Sequence, residues 1–177
     1  MDNWNRLFIR HGFMVKEEGP NLWNCQKETN ENMEFLLESL EKLSISYDLD
    51  LGVVTTHSPA VTEGQWIDCL DYQNRGRGEG LWFRPGVEEP KVRELDMYIV
   101  GMVRQFNRLG LTTMYCCDGH DRQRPTIGFT QWVDMDQVND VLLATGVSRF
   151  RIREQRLLLE MKREQLLDAT EKLAMIQ

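Results

Sequence analysis

Between Cys117 and Arg124 the chain gathers a thiol, two carboxylates, an imidazole and two guanidinium groups, on Cys117, Asp118, His120, Asp121, Arg122 and Arg124. Cys117 and His120 stand at C-x-x-H spacing, which lets a thiolate and an imidazole reach one tetrahedral ion at about 2.0–2.3 Å each. That pair is half of a structural zinc site, and two further ligands would have to arrive from distant sequence, from His57, Cys69, Cys25 or His11. A catalytic divalent metal asks for less. Asp118, His120 and Asp121 can supply ligands and leave positions open for water, an arrangement that generates a nucleophile at neutral pH. Without a metal, His120 can act as general acid or base between its flanking aspartates, and Cys117 as a nucleophile if the imidazole is within reach. The plain alternative is a turn: Asp118-Gly119 is a strong turn dipeptide, Cys117 a small buried side chain, and His120 a donor to loop carbonyls.

A second set of cations lies upstream. Residues 73–80, QNRGRGEG, hold three glycines and two arginines, and the short aromatic strand LWFR that follows ends in Arg84. The glycines allow close backbone approach and Arg75 and Arg77 present forked donors, although the loop matches neither GxGxxG nor a P-loop. If this loop meets the Cys117 loop at one sheet edge, Arg75, Arg77, Arg84, Arg122 and Arg124 form a cationic cup beside His120, suited to phosphate or carboxylate. Arg149, Arg151, Arg153 and Arg156 weaken that argument, because they show basic clusters elsewhere in the chain.

These groups need a scaffold. Thr29 caps a helix over 30–44 with Met33, Leu36, Leu37, Leu40 and Leu43 on one face. Residues 48–56 alternate as one strand, and GQWIDCLDY, 64–72, reads as another with neither face cleanly apolar. Pro90 opens a central helix through Val92, Leu95, Ile99, Met102, Val103, Phe106 and Leu109, and Gly110 stops it. Strands follow over Leu111–Cys117 and Thr126–Thr130, then a helix capped by Asp134 and ended by Gly146. VSRFRIRE and RLLLEM form a hairpin before a last helix from Lys162; the rival, one long helix over 148–177 with a heptad seam, puts Gln155 and Lys162 in its core. Residues 1–28 lack a sustained period and suggest a short helix or strand, then a turn at Gly19-Pro20. From Pro90 the order is α-β-β-α-β-β-α. That order predicts an α+β, two-layer domain with a mainly antiparallel sheet and helices on one face, on whose core residues 1–89 also pack.

At 177 residues, 41% hydrophobic and 28% charged, the chain has the composition of one soluble domain. The formal net charge of −7 argues against general nucleic-acid binding while leaving room for a local basic patch. No 18-residue apolar run and no secretion-signal layout occur, so the expected location is the cytoplasm, away from membranes. Four irregularly spaced cysteines, Cys25, Cys69, Cys116 and Cys117, are expected to be reduced, with the adjacent pair on opposite faces of their strand.

The stretch FNRLGLTTMYCCDGHDRQRPTIGF resembles a recurrent pattern in small bacterial and phage proteins: a helix ending in Leu-Gly, a strand, a Ser-Cys-x-Gly-His-like turn and a Pro-led strand. Cys117, Gly119, His120 and Pro125 match, while Cys116 stands where the pattern has Ser. The resemblance covers roughly residues 90–130; it implies a shared loop geometry and a microbial or phage setting, and carries no reaction with it.

The expected function is binding of a small anionic ligand such as a nucleotide or phosphorylated metabolite at the His120 loop, with hydrolysis as the reaction those groups could support. Asp118 and His120 would serve as metal ligands or acid/base pair, Cys117 as ligand or nucleophile. The alternatives are a non-enzymatic phage or host regulator that binds a protein partner through its acidic surface or last helix, and a structural zinc protein. Homo-oligomerisation stays open.

Overall fold

The computed structural model describes residues 3–74 and 89–176. Arg75, Arg77, Arg84, most of the Gly/Arg-rich loop and the expected LWFR strand lie outside the described residues. The α+β class is observed, with six α-helices and two four-stranded antiparallel sheets among the described residues.

The first sheet belongs to the N-terminal part, in order β1-β2-β4-β3. Asn3 caps α1 (Trp4–Arg10) by accepting from the Arg6 amide, and β1 (Lys16–Gly19) and β2 (Leu22–Asn24) meet across Asn21 at φ 59°. Thr29 caps α2 (Asn30–Lys42) as its sequence indicates. The single strand expected over 48–56 is a hairpin, β3 (Tyr47–Asp50) and β4 (Val53–Thr56). Leu51 and Gly52, at φ 45° and 80°, make the kind of turn whose twist suits a two-residue hairpin. The strand expected over 64–72 is instead helical, α3 (Glu63–Asn74). Trp66 and Leu70, four apart and both fully buried, set the helical period that alternation could not fit.

The second sheet carries the candidate site, in order β5-β6-β8-β7. The helix expected from Pro90 is shorter than its apolar pattern. A 3-10 turn at Val92–Glu94 ends in extended Leu95, and α4 (Val100–Arg108) begins after the Asp96 carbonyl has accepted from Ile99 and Val100. β5 (Thr113–Cys117) and β6 (Thr126–Phe129) flank the candidate loop, and Asp134 caps α5 (Met135–Ala144). β7 (Phe150–Arg153) and β8 (Arg156–Leu159) form the expected hairpin about Glu154 at φ 52°, before α6 (Arg163–Ala174). The long-helix rival fails because Arg151 and Arg153 alternate with half-buried Phe150 and Ile152, a period of two.

One cluster of buried side chains runs through both parts, from Trp4, Phe8, Trp23 and Trp66 to Phe106, Phe129, Leu157 and Leu173. Phe106 of α4 meets Phe129 edge-on at 5.2 Å, fixing the helix to the sheet. α6 lies against α4 and α1, and Arg108 donates to the Leu173 and Ile176 carbonyls at its C-terminal end. The apolar side of α6 is therefore consumed inside the protein. Among the described residues no helix is long and apolar enough to cross a membrane.

Candidate functional site

The loop after β5 is held in a conformation that side chains rarely adopt. Gly119, His120 and Asp121 follow one another at φ 84°, 45° and 58°. A Cβ on Gly119 would stand 2.1 Å from the Gln123 carbonyl oxygen, so only glycine fits there. Asp118 fixes the entry: its Oδ1 accepts from the His120 amide at 2.9 Å, and its own amide donates to Asp96 Oδ2 at 3.0 Å. Asp96 arrives from the turn before α4, so the loop is tied to a segment 22 residues upstream.

The result is a convergent donor set. One ligand atom from each of Asp96, Cys117 and His120 lies within 4.8 Å of the other two. Asp96 and Cys117 are buried and His120 is 44% exposed, so the cluster is reached from its imidazole side. Asp96 Oδ2 stands 3.6 Å from His120 Nε2, and His120 Nδ1 stands 3.3 Å from Asp118 Oδ1. The Cys117 sulfur accepts from the Gly119 amide at 3.4 Å and the Gln123 side chain at 3.5 Å. Burial pushes the Asp96 carboxyl above the usual carboxylate range, a rise that the Asp118 charge reinforces and the Asp118 amide, His120 and Arg163 oppose.

Asp118 takes a different place from the one its spacing suggested. It is 1% exposed, and its Oδ2 accepts from Arg163 Nε at 3.0 Å and Nη2 at 2.8 Å, so it anchors the loop and the imidazole while Asp96 offers the third donor. Asp121 turns to Arg163 Nη1 at 3.2 Å and does not flank the ring. Burial works against the Arg163 charge, but the two carboxylates more than offset it and hold the guanidinium more firmly protonated than usual. Its guanidinium carbon also lies 4.3 Å from the centre of the Tyr98 ring.

Asp96 and Arg163 are the site residues that sequence reasoning missed. Asp96 was hidden inside an apolar helical pattern, where the one signal was an acidic residue of the kind that starts helices. Arg163 had no local signal, because the contact spans 45 residues.

An open cleft of about 800 Å³ adjoins the loop, lined by Asp118, Arg122, Gln123, Arg124, Lys162 and Arg163 among others. Arg122 and Arg124 share this cleft with the unforeseen Lys162, whereas His120 is not among its lining residues and Arg75, Arg77 and Arg84 lie outside the described residues. Arg124 also pairs with Glu160 at 3.3 Å.

The remaining sequence candidates lie elsewhere. His57 follows β4 in the first sheet and pairs with Asp48 at 2.8 Å, and it is not in the donor cluster. His11 is fully buried near Glu63. The Cys25 thiol is pushed up to about 12 by burial with help from the Glu28 charge. Cys69 lies on α3, its sulfur 3.8 Å from the Ser39 carbonyl. Cys116 faces the core opposite Ile127, and burial pushes its thiol well above the ordinary range, whereas Cys117 faces the loop. No disulfide forms among the four cysteines. No family model, curated protein or solved structure matches the chain.

Proposed function

We propose that Asp96, Cys117 and His120 hold a divalent metal of the zinc class, and that the adjoining cleft takes a small anionic ligand such as a nucleotide or phosphorylated metabolite. The observation that carries this reading is the convergence of a carboxylate, a thiol and an imidazole within 4.8 Å. Atoms bound at about 2.0–2.3 Å to one tetrahedral ion stand roughly 3–4 Å apart, so the widest pair in the cluster needs to close by no more than about 1–2 Å. The surroundings support it further. A carboxylate on the far nitrogen of a ligating imidazole orients the ring, which is the relation of Asp118 to His120. Two N–H groups aimed at the Cys117 sulfur suit a coordinated thiolate.

Three protein donors leave a position for water or ligand, as catalytic zinc sites do and closed structural sites do not. Water bound there would be a nucleophile near neutral pH, which makes hydrolysis the reaction such a centre supports. Arg122 and Lys162 would meet the anionic end of the ligand in the cleft.

The test is elemental analysis of protein purified without chelator, then titration of the stripped protein with Zn²⁺ against a chromophoric chelator. One metal per chain is expected, with affinity falling about a hundredfold in Cys117→Ser and His120→Ala. Failure of the stripped wild-type protein to take up metal rules out the centre. Thermal shifts with nucleotides and inorganic phosphate, measured with and without Zn²⁺, then test the cleft, where Arg122→Glu is expected to remove the stabilisation.

A further inference from the structure

The face of the second sheet turned away from α4 carries a different arrangement. Register places Arg153, Arg156, Gly128 and Tyr115 in one row across all four strands, and Arg151, Leu158, Thr126 and Cys117 in the next. Side chains of one such row share a face, and four strands at about 4.8 Å spacing make it roughly 14 Å long. Gly128 opens the middle of the row: a Cβ there would stand 2.0 Å from Tyr115 Cε1, so the tyrosine ring lies flat over the glycine backbone. Arg151 and Arg156 are 54% and 57% exposed, and Arg153 is exposed as well.

Arg153 and Arg156 are direct cross-strand partners, a like-charged pairing that opposes the hairpin unless an anion bridges it. Glu154 reaches Arg156 only at 3.9 Å with an 88% exposed carboxylate, too weak a contact to neutralise the pair. Glu160 binds Arg151 and Arg124, so those two are already partnered. A second aromatic stands at the same end. Trp132 is 70% exposed, and Gln155 of the β7–β8 turn holds the backbone on both sides of it by donating to the Gln131 carbonyl at 3.1 Å and the Val133 carbonyl at 3.3 Å. Those two bonds fix the backbone that presents the exposed indole beside the Arg153–Arg156 pair.

We infer that this sheet face binds single-stranded nucleic acid, with Tyr115 and Trp132 as stacking surfaces and Arg153 and Arg156 as phosphate contacts. Aromatic rings interleaved with cations on an open sheet are what an unpaired strand needs, since its bases offer π-faces and its backbone offers charge. A duplex hides its bases and would use only the arginines, and an acidic peptide would ignore the rings. The formal charge of −7 lies against this patch as a whole-molecule repulsion, so binding is weak and falls with salt. The inference holds whether or not a metal binds at Asp96, Cys117 and His120.

The experiment is fluorescence anisotropy of a labelled oligothymidylate of about twelve nucleotides, at low and at physiological salt, with an equal-length duplex and polyglutamate as competitors. Micromolar binding is expected, weakened at least about tenfold by the Arg153→Glu/Arg156→Glu double variant and about threefold or more by Trp132→Ala. Tyr115→Leu is expected to act in the same direction. All variants are first checked for a wild-type melting curve; should the double reversal not fold, Arg156→Gln and Trp132→Ala, both at exposed positions, carry the test. Absence of binding by the wild-type chain, retention of binding in the folded variants, or equal competition by duplex or polyglutamate overturns the inference.

Discussion

The same three chemical groups meet twice in this protein. At the end of α1, His11 stands 3.7 Å from Glu63, which Arg10 binds at 2.8 Å; after β5, His120 stands 3.6 Å from Asp96 and 3.3 Å from Asp118, which Arg163 binds at 2.8 Å. The first imidazole is fully buried against Trp66, and the arginine beside it spans α1, α3 and α6 through Glu63, Asp168 and Glu171. The second is nearly half exposed, beside a thiol, on a backbone held in left-handed conformations. Residue type alone therefore distinguishes nothing. A sealed triad joins helices, while the accessible one sets an exposed imidazole beside a buried thiol.

The contrast can be broken most forcefully at Arg10. Arg10→Met leaves Glu63 without its closest cation and is expected to cost about 3–5 kcal/mol of stability, read from urea unfolding, with Zn²⁺ affinity of the remaining folded protein unchanged. Arg163→Met frees buried Asp118 in a more open setting and is expected to cost about 2 kcal/mol, yet to weaken Zn²⁺ about tenfold by releasing the imidazole's anchor. Equal effects of the two substitutions on metal would erase the distinction.

Acid should separate the histidines next. Burial lowers the His11 pKa in the fold, partly opposed by Glu63. A depressed folded-state pKa means that its contribution is present above the unfolded value, about 6.5, and is lost as pH falls through the folded value. The urea midpoint is thus expected to drop between pH 7 and 5, and His11→Phe, placed against Trp66, to flatten that drop. His120→Ala comes last in folding terms. At an exposed ring it should change stability by less than about 0.5 kcal/mol, while lowering Zn²⁺ affinity about a hundredfold.

What could be read in advance followed from locality. Thr29 and Asp134 cap their helices through bonds two or three residues away, and the alternation of residues 150–153 settles a hairpin, because both signals are complete within a short window. The strand–loop–strand around His120 was legible for the same reason. The third donor was not, since Asp96 meets the loop only once α4 has folded back along β5. α3 was misread because Trp66 and Leu70 are flanked by Ile67 and Cys69, which blur the helical stripe into a two-sided strand. Arg122 and Arg124 could be placed by their loop, but Lys162 and Arg163 join them only through the return of the chain after β8.

The tyrosine lying over Gly128 acts as a key for strand alignment. Cys116 and Cys117 are chemically identical, so if β5 slid by one position along β6, a sulfur would still arrive at the loop, carried by the wrong residue and with its neighbour turned out of the core. The ring of Tyr115 has room only where a Cβ is missing, and β6 offers that notch once. Filling it, as in Gly128→Val, would remove a steric mark that adds to the burial pattern in telling two adjacent thiols apart.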